Sequence, residues 1–308
     1  MRTNMTASAI SAVLVPLFWS MVFPLTKIIL REVPPASVIA LRYSAGALFL
    51  AAAAWAKGRG PEMKHLARTK WPAMFALGFV AVASYASQVI GLSYSSTAAG
   101  AIIASTSPIY SAVLGAIVLR ERVGPHQIAG LILSLAGVTG ITLAGEQSSP
   151  GSMNMIGTGL MFFGAVTYSV YTVYGKKWDA SSPPVLAVST GLGVMPFLAY
   201  AALTEPLAAS LSAARPIVLL DLIALGILPT GLAVIWFFGL VEKLGAARAS
   251  VISYLVPVFG LVQSSILLGE QLSPGLLMGG AASLAGVALA QYHRRAPTTE
   301  KPEQVTPS

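Results

Sequence analysis

The five-residue sequence SLAGV occurs twice in this chain, at positions 134–138 and 283–287, and the copies are 149 positions apart. The same offset pairs further residues of unlike chemistry, namely Ser20 with Ser169, Lys27 with Lys176, Pro34-Pro35 with Pro183-Pro184, Pro108 with Pro257, Glu121 with Glu270 and Gly130 with Gly279. An apolar composition produces chance matches, but it does not bring Lys, Glu and Pro-Pro into register. The chain is therefore two copies of one unit of about 150 residues.

The composition is that of an integral membrane protein. Hydrophobic residues make up 55% of the chain and charged residues 10%, whereas a soluble domain carries about 25% charged residues. Ten apolar segments approach the length of about 20 residues that crosses a bilayer: 7–29, 36–55, 72–92, 98–119, 125–144, 155–174, 184–203, 217–240, 246–268 and 274–292. The runs are continuous rather than alternating, which favours helices over a barrel.

These segments define the predicted domains. Residues 7–144 form a first five-helix repeat, residues 155–292 a second, and residues 293–308 a disordered cytoplasmic tail. The first segment is too long for the apolar region of a signal peptide, so we interpret it as a retained helix. The fold class is thus all-α integral membrane, with ten transmembrane helices.

The basic residues predict the orientation. One side of the membrane receives 15 of the 19 Lys and Arg residues, namely Arg2, Lys57, Arg59, Lys64, Arg68, Lys70, Arg120, Arg122, Lys176, Lys177, Lys243, Arg248, Arg294, Arg295 and Lys301. The other side holds only Arg31 and Arg215, while Lys27 and Arg42 lie within or at the edge of spans. The positive-inside rule then places both termini in the cytoplasm. As a helical multi-pass protein the chain is predicted to lie in the inner (plasma) membrane. The net charge of +8 indicates membrane orientation rather than a nucleic-acid partner.

An odd number of helices per repeat has a topological consequence. Since five helices end on the side opposite to where they began, the second copy enters the membrane from the other side. The copies are therefore predicted to be inverted-topology repeats, an architecture of secondary transporters. Such a pair can exchange the conformations of its halves, which is what alternating access requires.

Short motifs carry a family resemblance. Trp19-Ser20, Lys27, Pro34-Pro35, Arg42-Tyr43, Ser107-Pro108 and Leu119-Arg120-Glu121-Arg122 are followed in the second half by Pro229-Thr230, Leu244-Gly245-Ala246-Ala247, Pro257-Val258-Phe259 and Leu268-Gly269-Glu270. In this order and spacing the chain resembles the EamA family of the drug/metabolite transporter superfamily, in its ten-helix form. The resemblance implies export of small metabolites, often amino acids or related compounds, through a central cavity.

Arg42 is the first candidate for binding, because an ionisable group within a span is costly and is usually functional. It lies seven residues into the second span, and its counterpart in the second repeat is Gly191. It either snorkels to the headgroups or pairs with a helix end, or it anchors an anionic group such as a substrate carboxylate. No Asp or Glu lies in the middle of a span. Glu121 and Glu270 precede the fifth and tenth spans, and we expect each to favour the N-terminal dipole of that helix or to bind free backbone N–H groups. The alternative for both is a role in gating.

Polar and aromatic residues on several spans predict a substrate-binding pocket for an amphipathic molecule. Besides Arg42, the predicted substrate-binding residues are Trp19, Tyr85, Gln88, Tyr168, Tyr171, Trp236, Ser253 and Tyr254. Buried Tyr, Trp and Gln side chains need hydrogen-bond partners, so they face other helices or water. Taken singly, each of them is equally consistent with packing between helices.

Proline and glycine residues predict where helices bend and where they meet. Pro108 and Pro257 lie within the fourth and ninth spans and are predicted hinges beside a cavity, the alternative being kinks that shape packing. Glycines in the fifth and tenth spans allow helices to approach closely. Those spans are expected to form a peripheral scaffold or the face of a homodimer.

Other chemistries are disfavoured. The chain contains no cysteine and no HExxH, Walker A or GxSxG motif, so the sequence predicts neither an enzyme nor a metal or cofactor site. The function predicted from the sequence is a secondary transporter that exports small amphipathic metabolites, with amino acids as the favoured class. The alternatives are a membrane channel and a receptor or scaffold that transports nothing.

Overall fold

The structure, a computed structural model, describes residues 2–119, 125–146, 155–179, 182–244 and 255–290. Within these ranges every regular element is helical. The helices are α1 Arg2–Ser20, α2 Val22–Ile29, α3 Pro35–Ala56, α4 Gly60–Thr69, α5 Trp71–Leu92, α6 Thr97–Ala104, α7 Ser107–Leu119, α8 Pro125–Glu146, α9 Met155–Lys177, α10 Pro183–Thr204, α11 Leu207–Ala213, α12 Pro216–Ile227, a π-helix at Leu228–Leu232, α13 Ala233–Leu244, α14 Leu255–Leu268 and α15 Pro274–Ala290.

Seven segments are long and apolar enough to cross a membrane: Ile10–Ile29, Pro35–Ala56, Trp71–Leu92, Thr97–Gly115, Met155–Gly175, Pro183–Thr204 and Pro216–Phe237. Three shorter apolar helices, at Ile128–Gly140, Leu255–Leu268 and Pro274–Leu289, fall in the remaining predicted spans. The prediction of an all-helical, multi-pass membrane protein is confirmed. The count of ten transmembrane helices stays a prediction.

Three of the ten predicted spans are interrupted where a proline lacks the N–H that would bond to the carbonyl four residues earlier. The first predicted span breaks between α1 and α2, four residues before Pro24, and the fourth breaks after α6, four residues before Pro108. In the eighth predicted span, Pro229 lies in the π-helix that joins α12 to α13. Single π-turns inside α-helices are frequent at functional sites.

Helices α8 and α15 pack against each other through small residues. A Cβ atom at Gly137 would lie 2.5 Å from the carbonyl oxygen of Gly279, and one at Gly286 would lie 2.5 Å from that of Gly130. Glycine is therefore needed at both positions. As residue numbers rise along α8 they fall along α15, so the two helices are antiparallel. The glycines predicted for close packing thus join two helices of the same chain, and a homodimer stays a prediction.

Helices α3 and α10 form a second antiparallel pair. Near the start of α3, Ala36 and Ala40 contact Ala201 at the end of α10, whereas Leu50 contacts Leu186 at the opposite ends. The largest group of buried apolar side chains joins α2, α3, α5 and α12. Arg42 lies in this part of the molecule, among the helices with the most extensive apolar packing.

Candidate substrate site

Arg42 is buried in the interior of the helix bundle. Its side chain is only 5% exposed, so snorkelling to the headgroups does not describe it. The guanidinium carbon lies 3.9 Å from the centre of the Tyr85 ring and 5.5 Å from that of Tyr43. Both distances are within the range of a cation–π interaction. Two tyrosine faces therefore hold the cation in place.

The π-helix supplies a polar partner for Arg42. Its Nε and Nη2 atoms each donate to the Thr230 hydroxyl at 3.4 Å, a long distance for a hydrogen bond. The same hydroxyl donates to the carbonyl oxygen of Leu225 at 3.2 Å, which is the group that Pro229 leaves without a backbone donor. The Thr230 hydroxyl thereby donates to the carbonyl that Pro229 leaves free and accepts from Arg42.

The charge of Arg42 is not fully compensated. Its Nη1 atom is buried without a hydrogen-bond partner, and no carboxylate among the described residues forms an ion pair with it. An uncompensated buried charge destabilises a protein by roughly 3–5 kcal/mol. A cation–π contact offsets roughly 0.5–2 kcal/mol of that. An anion bound here would therefore compensate the charge of Arg42 and accept a hydrogen bond from its Nη1 atom.

Of the predicted binding residues, Tyr85 contacts this arginine and Trp19 contacts the π-helix that carries Thr230. The Tyr85 hydroxyl is 2.8 Å from the Thr26 hydroxyl of α2, which fixes the ring beneath the guanidinium. The Trp19 indole N–H donates to the carbonyl of Pro229 at 3.2 Å. The structure thus brings Arg42 and Tyr85 together, and Arg42 and Trp19 each bond to the π-helix through a different residue.

Tyr168 and Tyr171 form a second aromatic group on α9, with ring centres 5.7 Å apart. Tyr168 is 44% exposed. Tyr171 also lines a groove of about 200 Å³ together with Leu77 and Trp178.

Two other predicted residues take part in packing between helices. Gln88 makes only a 3.5 Å contact with the Ser84 hydroxyl and lies against Gly164. Trp236 stacks on Phe18 with ring centres 6.0 Å apart. The packing interpretation describes both contacts, and their part in binding stays a prediction.

The remaining predicted residues are only partly described. Ser253 and Tyr254 lie outside the described residues, as do Glu121 and the tail at 293–308. The backbone of Pro108 belongs to the first turn of α7, after the break in the fourth span, where proline is readily accommodated. Pro257 is buried in the first turn of α14. Whether either proline is a hinge stays a prediction.

Sequence reasoning missed Thr230, Tyr43 and Thr26 as site residues. For Thr230 a signal was available, because Pro229 within an apolar span predicts an unpaired carbonyl at Leu225, and a following threonine can bond to it. For Tyr43 and Thr26 no comparable signal exists. Their places follow from which helices are neighbours, and hydropathy does not contain that information.

Carboxylates cluster at one end of the bundle, which we call the carboxylate face and define by Glu32, Glu205 and Glu270. Glu205, just after α10, accepts hydrogen bonds from the N–H groups of Ala36 and Ser37 at 3.0 and 2.7 Å, and from the Ser37 hydroxyl at 2.6 Å. It therefore caps the N-terminus of α3 from another part of the chain.

Glu270 makes a similar cap, which corrects our expectation for it. Its carboxylate accepts from the N–H groups of Thr97 and Ala98 at 2.9 and 3.1 Å, at the start of α6. The helix that follows Glu270 is instead capped by Ser273. The Lys27 ammonium lies 3.8 Å from the same carboxylate and donates to the carbonyl of Ser95 at 2.7 Å. Position in the sequence pointed to the next helix, but the nearest free N–H groups belong to another one.

Glu32 completes the carboxylate face. It accepts from the backbone N–H of Arg215 at 2.9 Å and from the guanidinium of Arg215 at 2.6 Å. The hydrogen bond from that N–H, together with the nearby guanidinium, holds the pKa of the Glu32 carboxyl below its ordinary value. All three carboxylates therefore join a residue of 7–144 to a residue of 155–292.

These features define a class of protein: a multi-pass helical membrane protein with a buried, polar-aromatic site among its spans. The EamA-like transporter family matches the chain twice, over residues 6–143 and 155–292. The protein belongs to this family, and the resemblance inferred from the motifs is confirmed.

Similar proteins extend over nearly the whole chain. An uncharacterised transporter of Archaeoglobus fulgidus is 28% identical over 275 residues, which cover 88% of this chain and 93% of the relative. A "Probable terminal-alkyne amino-acid exporter" of Streptantibioticus cattleyicolor is 27% identical over 296 residues, covering 90% and 91%. A solved crystal structure with 24% identity has a TM-score of 0.63 and covers 91% of this chain and 96% of its own. At that identity the structural likeness shows the fold alone.

Proposed function

We propose that this protein is a secondary transporter that exports small amphipathic metabolites, with amino acids as the favoured class, across the inner membrane. The observation that carries the proposal is the buried Arg42, whose Nη1 atom has no partner among the described residues. A span that retains an uncompensated cation beside aromatic rings is suited to bind a molecule with an anionic end and an apolar body. Because the protein belongs to a transporter family, we infer that the molecule bound at this site is the transported substrate.

Amino acids fit this arrangement in two respects. Their carboxylate matches the fork of donors on a guanidinium, and an apolar side chain matches the rings of Trp19, Tyr168 and Tyr171. The name of the Streptantibioticus relative points to the same class of cargo. Because neutral groups provide most of the contacts, we expect an affinity on the order of millimolar, which allows release.

We propose that transport proceeds by alternating access between two inverted-topology repeats of five helices, residues 7–144 and 155–292. The antiparallel packing of α8 on α15 supports this, because the contacts of Gly137 are reproduced by Gly286, 149 positions later. In a pair of inverted repeats, equivalent helices run in opposite directions.

The carboxylate face acts as one of the two gates in this proposal. Glu32, Glu205 and Glu270 each join the two proposed repeats, so this face cannot open while all three bonds persist. The positive-inside rule makes it the outer face and places both termini in the cytoplasm. In this proposal, the bonds made by Glu32, Glu205 and Glu270 are those of a closed outer gate.

Efflux from reconstituted vesicles tests the function. Labelled amino acids are loaded into proteoliposomes, and their release is followed with and without a proton gradient. A carrier gives saturable release at low turnover, which Arg42→Gln reduces and the control Arg59→Gln leaves unchanged. Rapid release without saturation would indicate a channel instead. Absence of release for every compound would indicate a receptor or scaffold that transports none of them.

A further inference from the structure

We propose that the site recognises the carboxylate of its cargo and leaves the amino group unrecognised, so that N-acylated amino acids and related amphipathic monocarboxylates are cargo as well. This inference rests on the proposed function and specifies its substrate class. It follows from an imbalance among the described residues of the site: the Nη1 donor of Arg42 has no partner, and no carboxylate forms an ion pair with the guanidinium.

The donor is the guanidinium of Arg42. Nε and Nη2 share a single hydroxyl, that of Thr230, and Nη1 donates to nothing among the described residues. A carboxylate supplies the two acceptor oxygens and the negative charge that this group lacks. Thr230 supplies one acceptor oxygen, which Nε and Nη2 share, and it supplies no charge.

The described residues of the seven long spans offer no carboxylate paired with the site that could bind an ammonium group. Of the 11 Asp and Glu residues in the sequence, Asp221 is the only one within the seven long spans. It precedes Thr230 by nine residues, which corresponds to about 13 Å along a helix axis. The guanidinium of Arg42 already lies over one face of the Tyr85 ring, so that face cannot bind an ammonium group through a cation–π interaction. An ammonium bound here would lose its hydration without gaining an opposite charge.

One neutral acceptor deserves a separate test. Of the buried side-chain oxygen and nitrogen atoms in the described part of the chain, Gln263 Oε1 is the only other one without a partner. Its Nε2 atom contacts the carbonyl of Leu17 at 3.4 Å, so Gln263 lies between α14 and α1. An amide oxygen carries no charge, so its hydrogen bond to an ammonium group is weaker than that of a carboxylate. If it recognised the amino group, the proposal would be wrong.

Three compounds that share one apolar body separate these possibilities. Phenylalanine has both charged groups, N-acetylphenylalanine has only the carboxylate, and phenylalaninamide has only the ammonium. In proteoliposomes we expect N-acetylphenylalanine to be released at least as fast as phenylalanine, and phenylalaninamide at the rate of protein-free vesicles. Arg42→Gln should abolish the release of both carboxylates. Arg42→Lys, which keeps the charge but not the fork of donors, should retain part of it.

The outcomes distinguish this inference from the proposed function. Release of phenylalanine without release of N-acetylphenylalanine would overturn the inference and leave the transporter intact. Failure of all three compounds would count against both. A second measurement does not depend on transport: N-acetylphenylalanine should raise the Tm of the purified protein, and phenylalaninamide should not. Gln263→Leu should leave the ratio of the two carboxylates unchanged. A selective loss of phenylalanine in that variant would show that the ammonium is recognised.

Discussion

The hydroxyl of Ser134 lies 3.2 Å from the hydroxyl of Ser283, and the two serines occupy the same position in the repeated pentapeptide. Equivalent residues of the two copies therefore hydrogen-bond to each other in the buried contact between α8 and α15. Such a pair of identical residues is expected where a two-fold axis passes between two chemically equivalent helices. The repeated sequence is thus also a surface through which one copy packs on the other.

The first prediction uses the glycines on either side of this pair. Gly137→Ala and Gly286→Ala each place a Cβ atom 2.5 Å from a backbone oxygen of the facing helix, so each should destabilise the protein by about 1–3 kcal/mol. Because the contacts are equivalent, the two losses in Tm should be similar. Gly140→Ala is the control, since a Cβ atom there meets nothing within 4 Å. Unequal losses would argue against equivalent copies.

The second prediction concerns the partner of Arg42. Thr230→Val keeps the shape of the side chain but removes the hydroxyl that binds Arg42 and the carbonyl of Leu225. We expect a loss of about 1–3 kcal/mol in stability, since buried groups lose their hydrogen bonds, together with slower transport. Thr230→Ser retains the hydroxyl and should restore most of both. A valine variant as stable and as active as the native protein would remove Thr230 from the site.

Acid should weaken the carboxylate face through Glu32. Its pKa is lowered in the folded protein by the hydrogen bond from the N–H of Arg215, so the unfolded chain binds the proton more tightly than the folded one. The stabilisation is therefore complete at pH values above the ordinary pKa of the carboxyl and is lost as pH falls through the lowered value. Glu32→Gln should lower the Tm at neutral pH and have less effect in acid. A Tm difference that does not change with pH would contradict this.

Orientation can be measured with introduced cysteines, because the chain has none of its own. Lys64 in α4 and Ser212 in α11 are both exposed and lie at opposite ends of the bundle. In intact cells an impermeant thiol reagent should label Ser212→Cys and spare Lys64→Cys. Both should be labelled after the cells are lysed. The reverse pattern in intact cells would place the carboxylate face in the cytoplasm.

The aromatic rings should set the preference for cargo size. Tyr168→Ala and Trp236→Ala should each slow the transport of a large apolar amino acid more than that of a small one, because a ring face that binds the apolar body is removed. Tyr200→Ala is a suitable control, since Tyr200 is exposed on α10. Trp236 stacks on Phe18, so its variant also requires a check of folding. Equal rates for both cargo sizes in folded variants would place the cavity elsewhere.

The sequence predicted the helices better than it predicted the contacts of their side chains. Hydropathy located the spans because the bilayer imposes a length and a composition on each of them. The same argument left Arg42 open between snorkelling or pairing with a helix end and anchoring an anionic group, because its surroundings include Tyr85 and Thr230, which are distant in sequence. Glu270 shows the same limit: its proximity in sequence to α15 predicted the wrong partner. Free N–H groups can be capped by any carboxylate that folding brings near them.

The burial of Arg42 has an electrical consequence for the cell. When a monocarboxylate binds, the positive charge of the empty site is cancelled, so the loaded protein is electrically neutral where the empty one is not. In the proposed cycle, export of a monocarboxylate anion would move one negative charge outward, whereas export of a zwitterionic amino acid would move none. A cell whose interior is negative favours that movement by about 2.3 kcal/mol for every 100 mV across the membrane. Export of an anion by this protein would therefore need no co-transported ion, because the membrane potential itself would drive it.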